Sequence, residues 1–196
     1  LRAARTIRCV DRPLTIAIAC SGLGHVRRGY ETFTRALFEH LRAAGLGPVT
    51  LFKGAGPPAR DERPLSCVRR TTAFGRAVST IFSHRKAYDL ETKTFARSLW
   101  RVLRSEPFDV VYVPDLQVAR SLLGHRGPRS ARHPFTVVLH NGAPFGPRKL
   151  GELDLVQQLT APHQAESDAA GLRNTRLLPL PIDTERFRPG DRADAR

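Results

Sequence analysis

A series of short apolar runs, separated by stretches with helical spacing, sets the narrowest limit on what this chain can fold into. "LTIAIAC" (Leu14 to Cys20), "PVTLF" (Pro48 to Phe52), "FDVVYVP" (Phe108 to Pro114), "FTVVLH" (Phe135 to His140), "LVQQLTA" (Leu155 to Ala161) and "TRLLPL" (Thr175 to Leu180) read as strands, with a further short strand at Leu65 to Val68. Several are apolar at consecutive positions, so both faces of the sheet are expected to be covered. Between the first two, Val26 to Ala44 reads as a helix with Tyr30, Phe33, Leu37 and Leu41 on its apolar face, and Gly45 suits its end. Arg85 to Ser105 reads as a helix buried through Tyr88, Phe95, Leu99 and Leu103, and Leu116 to Leu123 as another. Pro162 suits the first turn of a last helix. "KGAGPPARDERP", Lys53 to Pro64, reads as a loop, and Thr71 to His84 is left open between loop and helix. Strand–helix alternation of this kind predicts an α/β fold: a Rossmann-like, doubly wound, mostly parallel sheet with right-handed crossovers.

At 196 residues with 41% hydrophobic content, the chain suits one domain, expected over residues 14–182. Residues 1–13 form an N-terminal extension, and residues 183–196 begin an interdomain linker or tail. No apolar run approaches the ~20 residues of a membrane span. The basic N-terminus lacks the apolar stretch of a signal peptide. Cys9, Cys20 and Cys67 have neither disulfide-framework nor zinc spacing, and no H-E-x-x-H occurs, so no metal is expected and a reducing, cytoplasmic setting is. There is no methionine, even at position 1, which is read as the mark of an incomplete chain. The net charge of +14 is almost all arginine and is scattered, without a basic block interleaved with aromatics. Small anionic ligands are therefore expected rather than nucleic acid, with peripheral contact at the inner membrane face left open.

In such sheets, ligands bind beyond the carboxyl ends of the strands. The loops that matter are Ser21 to Arg28, Lys53 to Gly56, Pro114 to Gln117 and His140 to Gly146. The first, "GLGHVRRG", fails as a dinucleotide fingerprint, because Arg27 replaces the third glycine and the second strand ends in Lys53 rather than an acid. Lys53 keeps a 2′-phosphate, and so NADP, open. Walker A and G-x-S-x-G patterns are absent. Gly22 and Gly24 let backbone approach a ligand, or simply permit the turn. His25, Arg27 and Arg28 can donate to an anion at the helix start, or be solvated. Glu31 is either a first-turn acid favoured by the helix dipole or an acceptor for a hydroxyl. Asp115 is either an N-cap or a residue of the crevice rim. His140 ends a buried strand, and Asn141 and Gly142 follow it as site residues or as a turn.

Several segments together resemble one family. "SGLGHVRRGYETFTRALFEHLRAAGLGPVTLFKGAG" resembles the opening βαβ unit of GT4-type glycosyltransferases. "FDVVYVPDLQVA" is similar to their "DVVHVHD" strand and loop, and "VVLHNG" to the later strand ending in His. "LTAPHQAESDAAGLRNTRLLPLPIDTERFRPGD" is similar to the segment that closes their N-terminal domain. The likeness runs from about Leu14 to Pro189. Pro181 stands where the family often has glycine, Tyr112 and Pro114 replace two histidines, and His163 stands near a usual serine.

The resemblance implies one half of a GT-B fold, the acceptor-side domain of a retaining glycosyltransferase. It needs no cofactor and no metal, only a nucleotide sugar as co-substrate and a hydroxyl acceptor (a sugar, a lipid-linked group or another). It implies that Gly22 and Gly24 approach the donor diphosphate and that His140 contacts the donor sugar or the reaction centre. His25, Arg27, Arg28, Glu31, Asp115 and Asn141 would then face the acceptor. The C-terminal donor-binding domain is expected to lie outside this chain, leaving the chain alone inactive. A non-catalytic α/β module for an anionic small molecule or a partner protein is the alternative reading.

Overall fold

The computed structural model describes residues 12–126, 134–143 and 145–180. Cys9, the extension as far as residue 11, Pro181 and the expected linker at 183–196 lie outside them. The strands are β1 (Ile16–Cys20), β2 (Val49–Lys53), β3 (Glu62–Pro64), β4 (Val110–Val113), β5 (Thr136–Asn141), β6 (Leu155–Gln158) and β7 (Thr175–Leu177). The helices are α1 (Gly29–Ala44), α2 (Ala73–Ile81), α3 (His84–Leu103), α4 (Leu116–His125), α5 (Pro147–Leu150) and α6 (Ala161–Ala169). All strands pair in parallel in the order β3-β2-β1-β4-β5-β6-β7. The chain winds outward from β1 to β3, then returns to β4 and winds the other way. This is the expected doubly wound α/β architecture, and its switch point lies between β1 and β4.

Alternation along the strands explains why they are apolar throughout. Ala17 and Ala19 of β1 join Val111, Val113, Val137 and Leu139 in a large core with Phe95, Leu99 and Leu122 of α3 and α4. Ile18 and Cys20 point the other way, into a smaller core with Leu51 and with Phe38 of α1. Strands β1 and β2 thus feed both cores, and a one-residue slip would exchange their two faces. Gly45 ends α1 with φ 65°, the left-handed turn that glycine adopts without strain. No helix among the described residues is long and apolar enough to cross a membrane.

Several boundaries differ from expectation, each for a local reason. Helix α1 begins at Gly29, not Val26. Val26 N–H does reach the Gly22 carbonyl (2.9 Å), but that single turn is broken where Arg28 is extended (φ −145°). The third strand is not Leu65 to Val68. It is the polar Glu62–Pro64, inside the segment read as a loop, pairing with Leu51–Lys53 at the sheet edge, where a proline is tolerated. The open segment after Thr71 forms α2, capped by the Thr72 hydroxyl, which accepts from Gly75 N–H. Strand β6 stops at Gln158 and β7 at Leu177, both shorter than read. The most buried side of α1 is Glu31, Thr34 and Phe38, with Tyr30, Phe33, Leu37 and Leu41 only half-buried.

Candidate functional site

The carboxyl ends of β1 and β4 are joined by a polar network. Ser21, just past β1, donates to Asp115 Oδ2 (3.1 Å), just past β4. Tyr88 of α3 donates a short hydrogen bond to Asp115 Oδ1. Asp115 occupies the N-cap position of α4 but makes no capping hydrogen bond with its side chain, so its carboxylate belongs to the crevice. Burial pushes this carboxyl up; the Tyr88 and Ser21 hydrogen bonds pull it down, and the nearby Glu31 charge pushes it up again. Burial first, then the Asp115 charge, raises the Tyr88 phenol well above its ordinary range.

His25 turns its Nε2 inward. Its Nε2 meets Glu91 Oε2 of α3 at 3.1 Å, and its side chain is buried. Arg70 completes this group: its backbone N–H donates to Glu91 Oε2 (2.8 Å), and its guanidinium stands 3.5 Å from Oε1 and over the Tyr88 ring. Burial alone would raise Glu91, but the His25 and Arg70 hydrogen bonds and the Arg70 charge outweigh it and hold the carboxyl low. Arg28 donates to Glu31 Oε1 at 2.7 Å, while Arg27 is exposed. Glu31 is buried, and its Oε2 has no hydrogen-bond partner; neither do His25 Nδ1, Asn141 Oδ1, and the pair Glu91 Oε1 and Arg70 Nη2, which face each other at 3.5 Å. Buried polar atoms are normally satisfied, so these mark places where a ligand or solvent group is expected.

The glycines of the first loop have internal reasons. A Cβ on Gly22 would lie 2.1 Å from Glu31 Oε1, so its absence admits that carboxylate beneath the loop. Gly24 has φ 94°, and a Cβ there would stand 2.2 Å from the Ala55 carbonyl oxygen. Lys53 is buried and donates to Glu62 Oε2 (2.6 Å), so it is committed within the protein rather than offered to a 2′-phosphate. That removes the one residue on which the NADP reading rested. A hollow of about 430 Å³ opens beyond β2 and β3, bounded by Gly54, Ala55, Pro64, Leu65, Cys67 and Arg69.

His140 lies at the end of β5 on the α1 side of the sheet. Its ring stacks on Phe33 (4.4 Å between centroids), with the edge of Tyr30 at 6.1 Å. Gln157 Nε2 donates to the Leu178 carbonyl (2.7 Å), which fixes the amide with Oε1 toward Tyr112 and His140. Tyr112 gives its one proton to that Oε1 and lies 3.0 Å from His140 Nδ1. The arrangement is fully satisfied only if Nδ1 carries the proton and donates to the Tyr112 oxygen, which leaves Nε2 as an acceptor. Burial lowers the His140 pKa, so the ring is neutral at pH 7. A Cβ on Gly142 would stand 3.0 Å from Nε2 and 2.5 Å from Tyr30 Cε1. Glycine at 142 therefore keeps a side chain off this nitrogen and off the Tyr30 ring, within a site where His140 is 2% exposed. Beside His140, Asn141 Nδ2 donates to Gln158 Oε1 (2.9 Å).

The structure thus brings Glu31, Arg28 and Asp115 to the switch point, and places His140 and Asn141 on β5, two strands from β1. Tyr30 joins the two groups: its ring edge meets His140, and its phenol is raised by burial and then by the Asp115 charge. The positioning residues Arg70, Tyr88, Glu91, Tyr112 and Gln157 were not read as site residues. For Glu91 a signal exists: it interrupts the row Ala87, Glu91, Phe95, Leu99, Leu103 at four-residue spacing, an acid at a core position. Chemically, the atoms left without a donor are acceptors (Glu31 Oε2, Asn141 Oδ1) enclosed with the His140 ring, beside arginines at the rim. Such a set suits a polyhydroxylated ligand that carries negative charge. No protein-family model matches this chain, and no curated protein sequence matches it.

Proposed function

We propose that the chain is the N-terminal, acceptor-side domain of a retaining glycosyltransferase of the GT4 type, moving a sugar from a nucleotide-sugar donor to a hydroxyl acceptor. The observation that carries this reading is His140: a buried imidazole at a strand's carboxyl end, its pKa lowered by burial, with Nδ1 occupied and no side chain at position 142 to crowd Nε2. Such a nitrogen accepts a hydrogen bond from a sugar hydroxyl and holds the ring against the reacting carbon. Glu31 Oε2 plays the matching part for a hydroxyl of the acceptor, and Arg28 fixes the carboxylate that does so. Departure of the diphosphate needs oriented positive groups in a closed cleft. The family resemblance assigns most of these to a C-terminal donor-binding domain, so the 196-residue chain alone is expected to be inactive.

The test is turnover of a panel of nucleotide sugars by the product of the whole reading frame, with the anomeric configuration of the product determined. Retention is expected, with a fall of about 100-fold or more in kcat for His140→Ala. Inversion, full turnover in His140→Ala, or turnover by the isolated chain overturns the proposal. A frame that binds an anionic small molecule without turning over any nucleotide sugar points to the stand-alone binding module instead.

A further inference from the structure

Helix α2 wears its apolar stripe on the outside. Phe74, Ala77, Val78 and Ile81 recur at helical spacing, yet Phe74 is 63% and Ile81 72% exposed, and Phe82, one residue beyond, is 70% exposed. The only buried residue of the helix is Gly75. It seats the helix on the backbone of Arg69 and Arg70, where a Cβ would stand 2.2 Å from the Arg69 carbonyl oxygen. A helix of nine residues is too short to be stable by itself in water, so helices of this length depend on burying an apolar face. Here the face that would do so is the one turned to solvent.

The charge around this face is of one sign. Between Glu62 and Asp89 the chain has no acidic residue, while Arg63, Arg69, Arg70, Arg76, Arg85 and Lys86 fall in that interval. Arg63 pairs with Glu106 and Arg70 with Glu91. Arg69, Arg76, Arg85 and Lys86 are exposed, and none has a carboxylate partner among the described residues. Exposed aromatic and aliphatic side chains flanked by unpaired cations are the composition of a helix that lies in a lipid headgroup layer. The rings and Ile81 would enter the headgroup–acyl boundary, and the cations would meet anionic headgroups. A second copy of the chain is disfavoured as occupant, because each brings a net charge of +14. Nucleic acid would meet the cations but has no use for Ile81.

We propose that α2 and Phe82 dock this domain on an anionic lipid surface. The inference stands apart from the glycosyl-transfer reading, since it rests on none of the crevice residues. The two do adjoin: Arg69 and Arg70 lead into α2, and Arg70 is part of the Glu91 group. The experiment is flotation of the 196-residue chain with vesicles of phosphatidylglycerol mixed with phosphatidylcholine, beside vesicles of phosphatidylcholine alone. Binding to the mixed vesicles only is expected. The pair Phe74→Ser and Phe82→Ser should weaken it by about tenfold or more, and Arg85→Glu with Lys86→Glu should do likewise. All four side chains are exposed, and circular dichroism unchanged from the parent verifies that each variant folds. No flotation with the mixed vesicles overturns the proposal, as does binding that the serine pair leaves unchanged. Self-association abolished by the serine pair without vesicle binding assigns the face to a second copy. Oligonucleotide binding without vesicle binding assigns it to nucleic acid.

Discussion

Two ionic clusters lie at the carboxyl side of the sheet, and they follow opposite plans. At the β2–β3 edge, Glu62 takes a bidentate pair from Arg35 and a further hydrogen bond from Lys53 (2.6 Å). Every oxygen of that carboxylate is used, and the Arg35 hydrogen bond, against some opposing burial and with help from Lys53, holds its pKa at about 2. At the β1–β4 switch point, three buried carboxylates (Glu31, Glu91 and Asp115) are grouped with a buried histidine ring, a half-buried Arg70 and an exposed Arg28. There Asp115 is pushed up, and Glu31 Oε2 and His25 Nδ1 go without partners. A cluster whose hydrogen bonds close on themselves holds a fold together. One that leaves buried atoms unmatched is kept at a cost in stability, as functional sites are.

The sharpest way to break this contrast is at Glu91, which combines the two plans: its Oε2 takes two hydrogen bonds, while its Oε1 has only the Arg70 guanidinium at 3.5 Å. It is fully buried and receives hydrogen bonds from His25 and the Arg70 backbone. Glu91→Ala leaves both donors and the Arg70 charge stranded, and should cost about 3–5 kcal/mol in urea unfolding. A cost below about 1 kcal/mol would place Glu91 with the functional set instead. Glu62→Gln comes next, at roughly 2 kcal/mol near neutral pH. Its pH signature has a definite sign. The folded pKa is depressed from 4.5 to about 2, so the stabilisation by Glu62 is full above 4.5 and is lost as pH falls through about 2. The gap between parent and Glu62→Gln should therefore close across that window, and a gap independent of pH would show that the ion pairs are not its source.

What could be read from sequence, and what could not, follows the same division. The strands were legible because both faces are buried: an apolar run such as Ile16–Cys20 has few other fates. The loops of the crevice were legible because the carboxyl-end rule needs only the strands. Glu62–Pro64 was hidden, since a polar edge strand owes its conformation to its neighbour rather than to its own residues. The partners of the crevice were hidden for a related reason. Glu91 meets His25 across 66 positions of sequence, and Gln157 meets Tyr112 across 45. Polar residues on a helix or strand look solvated until the fold shows what they face. Gly22 and Gly24, read either as room for a ligand or as a turn, also make room for Glu31 and Ala55, which the sequence did not indicate.

The smallest expected effect on stability is the most informative. Glu31→Gln keeps the volume and removes the charge of a carboxylate that uses one oxygen, toward a half-exposed Arg28. The ion pair it loses is of the kind worth roughly 0–1 kcal/mol, and the first-turn charge it removes from α1 is worth about 0.3–1 kcal/mol. Against these stands relief from Asp115, whose carboxyl the Glu31 charge raises. The melting temperature should thus move little, by a shift corresponding to about 1 kcal/mol or less. Ligand recognition should suffer far more, because the amide presents a donor or a weaker acceptor where Oε2 now stands unmatched. Calorimetric unfolding of the chain, paired with acceptor KM in the whole-frame product, separates the two. If Glu31→Gln destabilises as strongly as Glu91→Ala, the switch-point cluster is built like the Glu62 cluster, and its unpartnered oxygen awaits solvent rather than a substrate.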